Sequence, residues 1–346
     1  MKVLFVGLGG IGQRHLRLLK EIKGQKLDAH AYRHRNLQFL LSKNLEISSD
    51  TGLIDEFGLS VHETLDRALN EKPDVVFITN PTSEHFETAI ASLNAGVPIF
   101  VEKPITTNVS EARTLVNLAG SRSLKGMVGY QLRFHPLIQR LFSIVKDGQL
   151  GDVVSARFQV GEYLPNWHRY EDYRQMYAAR RDLGGGVVRT QIHEIDLMYA
   201  MFGKPSTAYS VGGKLSNLER DVEDVVFSLF QFGLNGKNVP MSLSQDYIQR
   251  PSRRSIEVVG LMGRVELDLI NNQLLHYSEN GGLVFEEKIE NFDRDLMFLG
   301  QINALLEYLH DGNPPPVSLA DGLASLEIAD ACLRSMNSGE VEKVSS

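Results

Sequence analysis

The string GLGGIG, residues 7–12, constrains this chain more than any other feature. Lys2–Val6 before it is a short apolar run, and Ile11, Leu16, Leu18 and Leu19 after it recur at helical spacing. Glycine lets a chain leave a strand, turn tightly and enter a helix with no side chain in the way. The spacing gives Gly7 the tight turn, Gly9 the close approach of a pyrophosphate, and Gly12 the packing of helix on strand. Gly10 and Ile11 then offer backbone N–H groups at the positive end of the helix, where a phosphate sits well. Dinucleotide binding is the expectation; a glycine turn kept for packing alone is the plainer alternative.

The residues that follow repeat the alternation. Leu27–Tyr32, Val75–Ile78, Ile99–Val101 and Gly126–Tyr130 read as further strands. Between them lie helical patterns at His85–Ala95, closed by Gly96, and at Ser110–Ala119, opened by Ser110 as the cap. Near-continuous apolar strands alternating with helices predict a parallel sheet covered on both faces, a doubly wound α/β Rossmann domain. After Gly151 the texture changes to alternating strands, Val153–Val160, Val225–Phe232, Pro240–Tyr247 and Ser255–Gly260, and then to two helical patterns within Asp295–Met336. A chain of 346 residues exceeds what one core usually holds. The expected division is a dinucleotide-binding domain over 1–122 and an α+β domain over 123–346, with a mostly antiparallel open sheet.

Composition excludes several partners. Lys and Arg number 36 against 43 Asp and Glu, a net charge of -7, which gives no footprint for nucleic acid. No apolar stretch reaches the ~20 residues that span a bilayer, so no membrane partner is expected. The lone cysteine, Cys332, has no partner for a disulfide, and the N-terminal run is too short for a signal peptide; both suit the cytoplasm. Ten scattered histidines and no CxxC spacing point to no metal.

Residues at strand ends carry the chemistry. An NAD site usually shows an acidic residue ~20 positions beyond the glycines. Here Arg33 stands 21 beyond Gly12, and a guanidinium suits a 2'-phosphate, so NADP is mildly preferred over NAD. Asn80, Pro81 and His85 follow the third strand, while Glu102, Lys103 and Pro104 follow the fourth. Both groups fall on the carboxyl edge of the sheet, where ligands bind. A lysine there can exchange a proton with a substrate oxygen, although a strand-end lysine is also a common surface charge.

GLGGIG, NPTSEH, EKP, GYQLRFHP and a GGG run ahead of HEID occur in that order, and the chain ends in PPPVSLADGLASLEIADACLRS. Together they resemble the glucose-fructose oxidoreductase and inositol dehydrogenase family, Gfo/Idh/MocA, strongly over 1 to about 205. The resemblance implies that Lys103 is the catalytic lysine, that a cis peptide precedes Pro104, and that His193 is the second-domain histidine beside the nicotinamide. It also implies a homodimer or homotetramer paired through the second-domain sheet. Asp196 lies one helical turn from His193, where it is expected to orient the imidazole. Relatives that oxidise simple polyols commonly carry an Asp three or four residues before that histidine, where this chain has Thr190 and Arg189.

The substrate is expected to be a sugar. Tyr163, Trp167, His168, Tyr170, Tyr173, Tyr177, Arg180 and Arg181 crowd one segment; aromatic faces suit sugar C–H surfaces and guanidiniums suit anions, though both also suit subunit contacts. Trp167, Tyr173, Arg189, Gln191 and His193, with Tyr130 and Arg133 after the fifth strand, are the expected substrate contacts. GGGVVRTQIHEID resembles relatives in bacterial surface-sugar synthesis, which implies an amino, acidic or nucleotide-linked sugar. The competing readings are a cofactor-binding sensor without turnover and a lyase or hydrolase that recycles its NAD.

Overall fold

The runs read as strands pair side by side and in parallel in the computed structural model, which describes residues 1–32, 39–49, 52–168, 170–311 and 313–344. Six strands lie in the spatial order Ser60–His62, Asp28–Tyr32, Lys2–Val6, Val75–Ile78, Ile99–Glu102, Gly126–Gly129. Lys2–Val6 is central because it is apolar on both faces, and Phe5, Phe77 and Phe100 stack across three neighbouring strands at centroid distances of 5.0 and 4.8 Å. Strand order reverses beside Lys2–Val6, so the crevice opens at the carboxyl ends of Lys2–Val6 and Val75–Ile78.

Three local details differ from expectation. Gly126–Gly129 pairs with Ile99–Glu102, so the parallel sheet runs past residue 122. Asn108, two residues before Ser110, is the cap of helix Val109–Ser121: its side chain accepts from the Glu111 N–H at 2.9 Å. Ser60–His62 has no apolar run to announce it and is a strand because Asp28–Tyr32 offers an edge.

The second sheet has nine strands, in the order Leu283–Lys288, Gln273–Ser278, Gly263–Asp268, Arg253–Gly260, Val153–Gly161, Lys237–Asp246, Val225–Leu234, Thr207–Gly213, Glu342–Lys343. Every pairing is antiparallel except that of Val153–Gly161 with Lys237–Asp246. Strict alternation along Val225–Leu234 turns Val226, Phe230 and Phe232 inward and leaves Phe227 and Leu229 more than half exposed. The last long helix, Leu319–Ser338, opens on a capping box at Ser318 and Asp321 and packs against both Thr207–Gly213 and Val109–Ser121. Through it the two units share a core. No described helix is long and apolar enough to cross a membrane.

Candidate active site

A cleft of about 570 Å³ lies where the crevice of the parallel sheet meets the second unit. Its floor is the glycine turn. Gly7 has φ +94°, and a Cβ there would stand 2.7 Å from the Asn80 nitrogen. A Cβ on Gly12 would stand 2.4 Å from the Gly7 oxygen and 2.8 Å from Thr79 Oγ1, so only glycine lets the helix lie this close to the strand ends. Nothing lies within 4 Å of a Cβ on Gly9, which leaves room for a phosphate. Helix Gly10–Lys23 begins with no side-chain cap and no acidic residue in its first turn, so its positive end faces the cleft undiminished. These features fit a dinucleotide pyrophosphate. Gly7, Gly9, Gly10, Ile11, Asn80, Pro81 and His85 line the cleft, while Gly12 lies behind it as the packing glycine. Arg33, the residue behind the NADP preference, lies outside the described residues.

The wall above is built from both units. Lys103 ends its strand at a cis Lys103–Pro104 peptide and reaches across to donate from Nζ to the Thr190 carbonyl at 2.7 Å. Glu102 is buried; it accepts from Lys103 N at 3.3 Å and lies 2.7 Å from His15 Nε2. The His85 ring sits between the carbonyls of Pro104, at 2.9 Å, and Asn80, at 3.0 Å. Burial pushes its pKa down, and a neutral ring donates to only one carbonyl at a time. It braces the two strand-end loops against each other.

His193 begins helix His193–Phe202 and faces the same space as Lys103. Burial, then the charges of Lys103, Arg254 and Arg294, hold its pKa well below the ordinary 6.5, so the ring is neutral at pH 7. Its Nε2 lies 3.3 Å from Gln131 Nε2, and Nδ1 is buried with no partner. Among the described residues, several unpartnered buried polar atoms belong to this one wall: Asn80 Oδ1, Trp167 Nε1, Thr190 Oγ1, Gln191 Oε1 and His193 Nδ1. Buried polar groups are normally satisfied, so such a concentration is what a ligand site leaves in a bare protein.

Several expected contacts sit elsewhere. Asp196 does not orient His193. Arg133 arrives from the turn that follows strand Gly126–Gly129 and grips Asp196 with Nε to Oδ2 at 2.8 Å and Nη2 to Oδ1 at 2.6 Å, and Ser325 Oγ lies 3.3 Å from Oδ1. Arg133 is thus spent in a buried pair, outside the cleft lining. Tyr130 is fully buried and packs edge-on behind the His193 ring, centroids 5.7 Å apart. Arg189 is off the cleft wall, near the half-buried Glu223. Tyr173 turns outward, its Oη accepting from the Glu219 N–H at 3.1 Å, while Arg180 pairs with Asp182 and Arg181 donates to the Asp221 carbonyl. From the aromatic segment Tyr163, Trp167, His168, Tyr170 and Tyr177 do line the cleft, as does Gln191, which donates to the Asp246 carbonyl at 3.0 Å. Reading the sequence missed Gln131, Glu162, Arg254 and Arg294, which also line it. Gln131 stands inside the GYQLRFHP run, which was its signal, and the strand read as Ser255–Gly260 began one residue past Arg254.

Fold and cleft together define a two-unit, dinucleotide-binding oxidoreductase scaffold. Residues 1–130 match the oxidoreductase family, NAD-binding Rossmann fold, and residues 143–345 match the C-terminal alpha/beta domain of the same family. The chain belongs to the Gfo/Idh/MocA family. It is 25% identical over 328 residues to an uncharacterized oxidoreductase of Streptococcus pneumoniae, covering 82% of this chain and 86% of that protein. It is 26% identical over 275 residues to the UDP-N-acetylglucosamine 3-dehydrogenase of Acidithiobacillus ferrooxidans, covering 77% and 79%. The WlbA dehydrogenase from Bordetella pertussis, solved in complex with NADH and UDP-GlcNAcA, shares the fold at a TM-score of 0.80, with 18% identity and coverage of 100% and 99%.

Proposed function

We propose that this protein transfers a hydride between a nicotinamide cofactor and a carbinol or ketone carbon of a sugar, the sugar being nucleotide-linked or acidic. The observation that carries the reading is the Lys103 ammonium, delivered from a Rossmann strand end to the Thr190 carbonyl in the cleft that also holds the glycine turn and His193. Gly7, Gly9, Gly10, Ile11, Asn80 and Pro81 would hold the cofactor, which would supply or accept the hydride. The protein handles the oxygen. Lys103 leaves the Thr190 carbonyl for the substrate oxygen and exchanges the proton there, while its charge stabilises oxygen anion character. His193, neutral, serves as a fixed hydrogen-bonding partner for that oxygen, because a ring whose imidazolium is disfavoured this strongly is a poor proton acceptor. Trp167 and Tyr163 offer aromatic faces to a sugar ring. The likeness to the UDP-N-acetylglucosamine 3-dehydrogenase supports the nucleotide-linked class.

The preference for NADP is part of the same proposal and rests on Arg33. So is assembly into dimers or tetramers: Val211, Phe227 and Leu229 form an apolar stripe, each at least half exposed, on the open face of the large sheet, and a second sheet is the surface that would cover it. The test of catalysis is Lys103→Ala, assayed with UDP-, GDP- and CMP-sugars by nicotinamide absorbance. Turnover should fall by about a hundredfold or more with NADH affinity nearly unchanged. Equal turnover removes Lys103 from the chemistry. Purification with tightly held reduced cofactor that does not exchange favours internal recycling instead.

A further inference from the structure

We propose that Arg294 binds a carboxylate on the sugar of the substrate, and so selects acidic over neutral sugars. The proposal rests on the hydride-transfer reading for its substrate, and on the following geometry for its residue.

Among the described residues, four Lys and Arg side chains line the cleft: Arg14, Lys103, Arg254 and Arg294. Three are committed. Arg14 donates to the Lys43 carbonyl at 2.6 Å and pairs with Asp295 at 3.3 Å. Lys103 holds the Thr190 carbonyl, and Arg254 makes a two-point contact with Glu194 at 2.6 and 3.1 Å. Arg294 has no side-chain hydrogen bond or ion pair within the described residues. Glu162 is the cleft carboxylate nearest in influence, and it makes no ion pair with Arg294.

The backbone around Arg294 is fixed, so its place in the cleft is built rather than incidental. Asp295 is clamped by Arg17 at 2.7 Å as well as by Arg14, and its N–H bonds Asp293 Oδ1 at 3.0 Å. One turn on, Phe298 lies under the Arg14 guanidinium, 4.9 Å from ring centroid to Cζ, and lines the cleft too. Asp295 is therefore engaged by the first helix and Asp293 by Lys43 at 3.4 Å, and the residue between them is left to the cleft. The charges of Arg254 and His193's other cationic neighbours gather at the same end. An unspent planar guanidinium among like charges favours a ligand that brings two anionic oxygens, which it can hold at two points. That end of the cleft is also the His193 end, so the anion would sit close to the reacting carbon.

The experiment is calorimetry on NADH-loaded wild type, Arg294→Gln and Arg294→Lys, titrated with UDP-N-acetylglucosamine, its 6-uronate UDP-GlcNAcA, free glucose and free glucuronate. Wild type should bind the uronate of a pair about tenfold tighter than the neutral sugar. Arg294→Gln should erase that difference, Arg294→Lys should restore part of it, and neither should alter NADH affinity. Loss confined to uronates assigns the contact to a sugar carboxylate. An equal tenfold loss on both UDP-sugars assigns it to the diphosphate instead and overturns the selection of acidic sugars. Affinities unchanged by both variants, loss confined to NADH, or no binding of any anionic probe overturns the proposal. With NAD+ in place of NADH, hydride transfer from a neutral sugar without anion preference sinks Arg294 and leaves the activity standing; anion binding through Arg294 without hydride transfer from any probe to NAD+ does the reverse.

Discussion

Replacing Arg133 with methionine tests whether this arginine holds the fold or the substrate. The guanidinium donates twice to Asp196, at 2.8 and 2.6 Å, where Asp196 is 1% exposed and its other contact is Ser325 Oγ at 3.3 Å. Removing one partner of a buried pair costs about 3–5 kcal/mol, which agrees with two charge-assisted hydrogen bonds at roughly 1.5–3 kcal/mol each. Burial already pushes the Asp196 carboxyl up, so the abandoned group takes a proton more readily than an exposed carboxyl does. Since whole domains are stable by only about 5–15 kcal/mol, the urea midpoint of Arg133→Met should fall steeply. The double variant Arg133→Met/Asp196→Leu should recover most of it, because neither charge is then left buried alone. Substrate KM of the folded fraction should change little. An unchanged urea midpoint together with a raised KM would refute this reasoning and return Arg133 to the substrate.

Gly12→Ala should destabilise the protein by about 1–3 kcal/mol and weaken binding of NADH and NADPH alike, since its methyl would stand 2.4 Å from the Gly7 carbonyl oxygen; calorimetric titration beside a urea curve checks both. His193 gives a pH dependence of known sign. The unfolded chain gains a proton on histidine below about pH 6.5 and the folded ring does not until well below that, so stability falls as pH drops through this window. His193→Asn should therefore lose less stability than wild type between pH 7 and pH 5 when denaturation curves at the two values are compared. Titrating NADH and NADPH against wild type and Arg33→Ala tests the cofactor preference: NADPH should bind more tightly only while Arg33 is present. Phe227→Glu/Leu229→Glu should reduce the light-scattering mass from a multiple of 38.7 kDa to that single value, and a wild type already at that value ends the sheet-pairing proposal.

The parallel sheet was legible because its signals are local. Val75–Ile78 and Ile99–Glu102 are buried at every position, so an unbroken apolar run and the strand are the same fact. The glycine turn was legible for a similar reason: φ +94° at Gly7 and the near-contact at Gly12 are demands on single residues that one amino acid meets. Lys103 could be placed at the cleft because strand ends define that edge whatever the rest of the chain does. The last three hairpin strands were harder, since Leu283–Lys288 is half-exposed and charged at one edge of its sheet.

By itself, then, the sequence determined the doubly wound unit, its phosphate turn and the strand-end lysine, for each follows from backbone preference and hydrophobic spacing within a few residues. Tertiary structure alone decided which arginine, among the described residues, is left unpaired in the cleft. Asp196 sits one turn from His193 in every helix that can be drawn, yet its partner is Arg133, 63 residues earlier, and Arg294 is left to the cleft because Arg14 and Arg17 take the carboxylate beside it. Long charged side chains choose the partner that packing brings within about 3 Å, and packing between distant elements is what spacing along a chain does not encode.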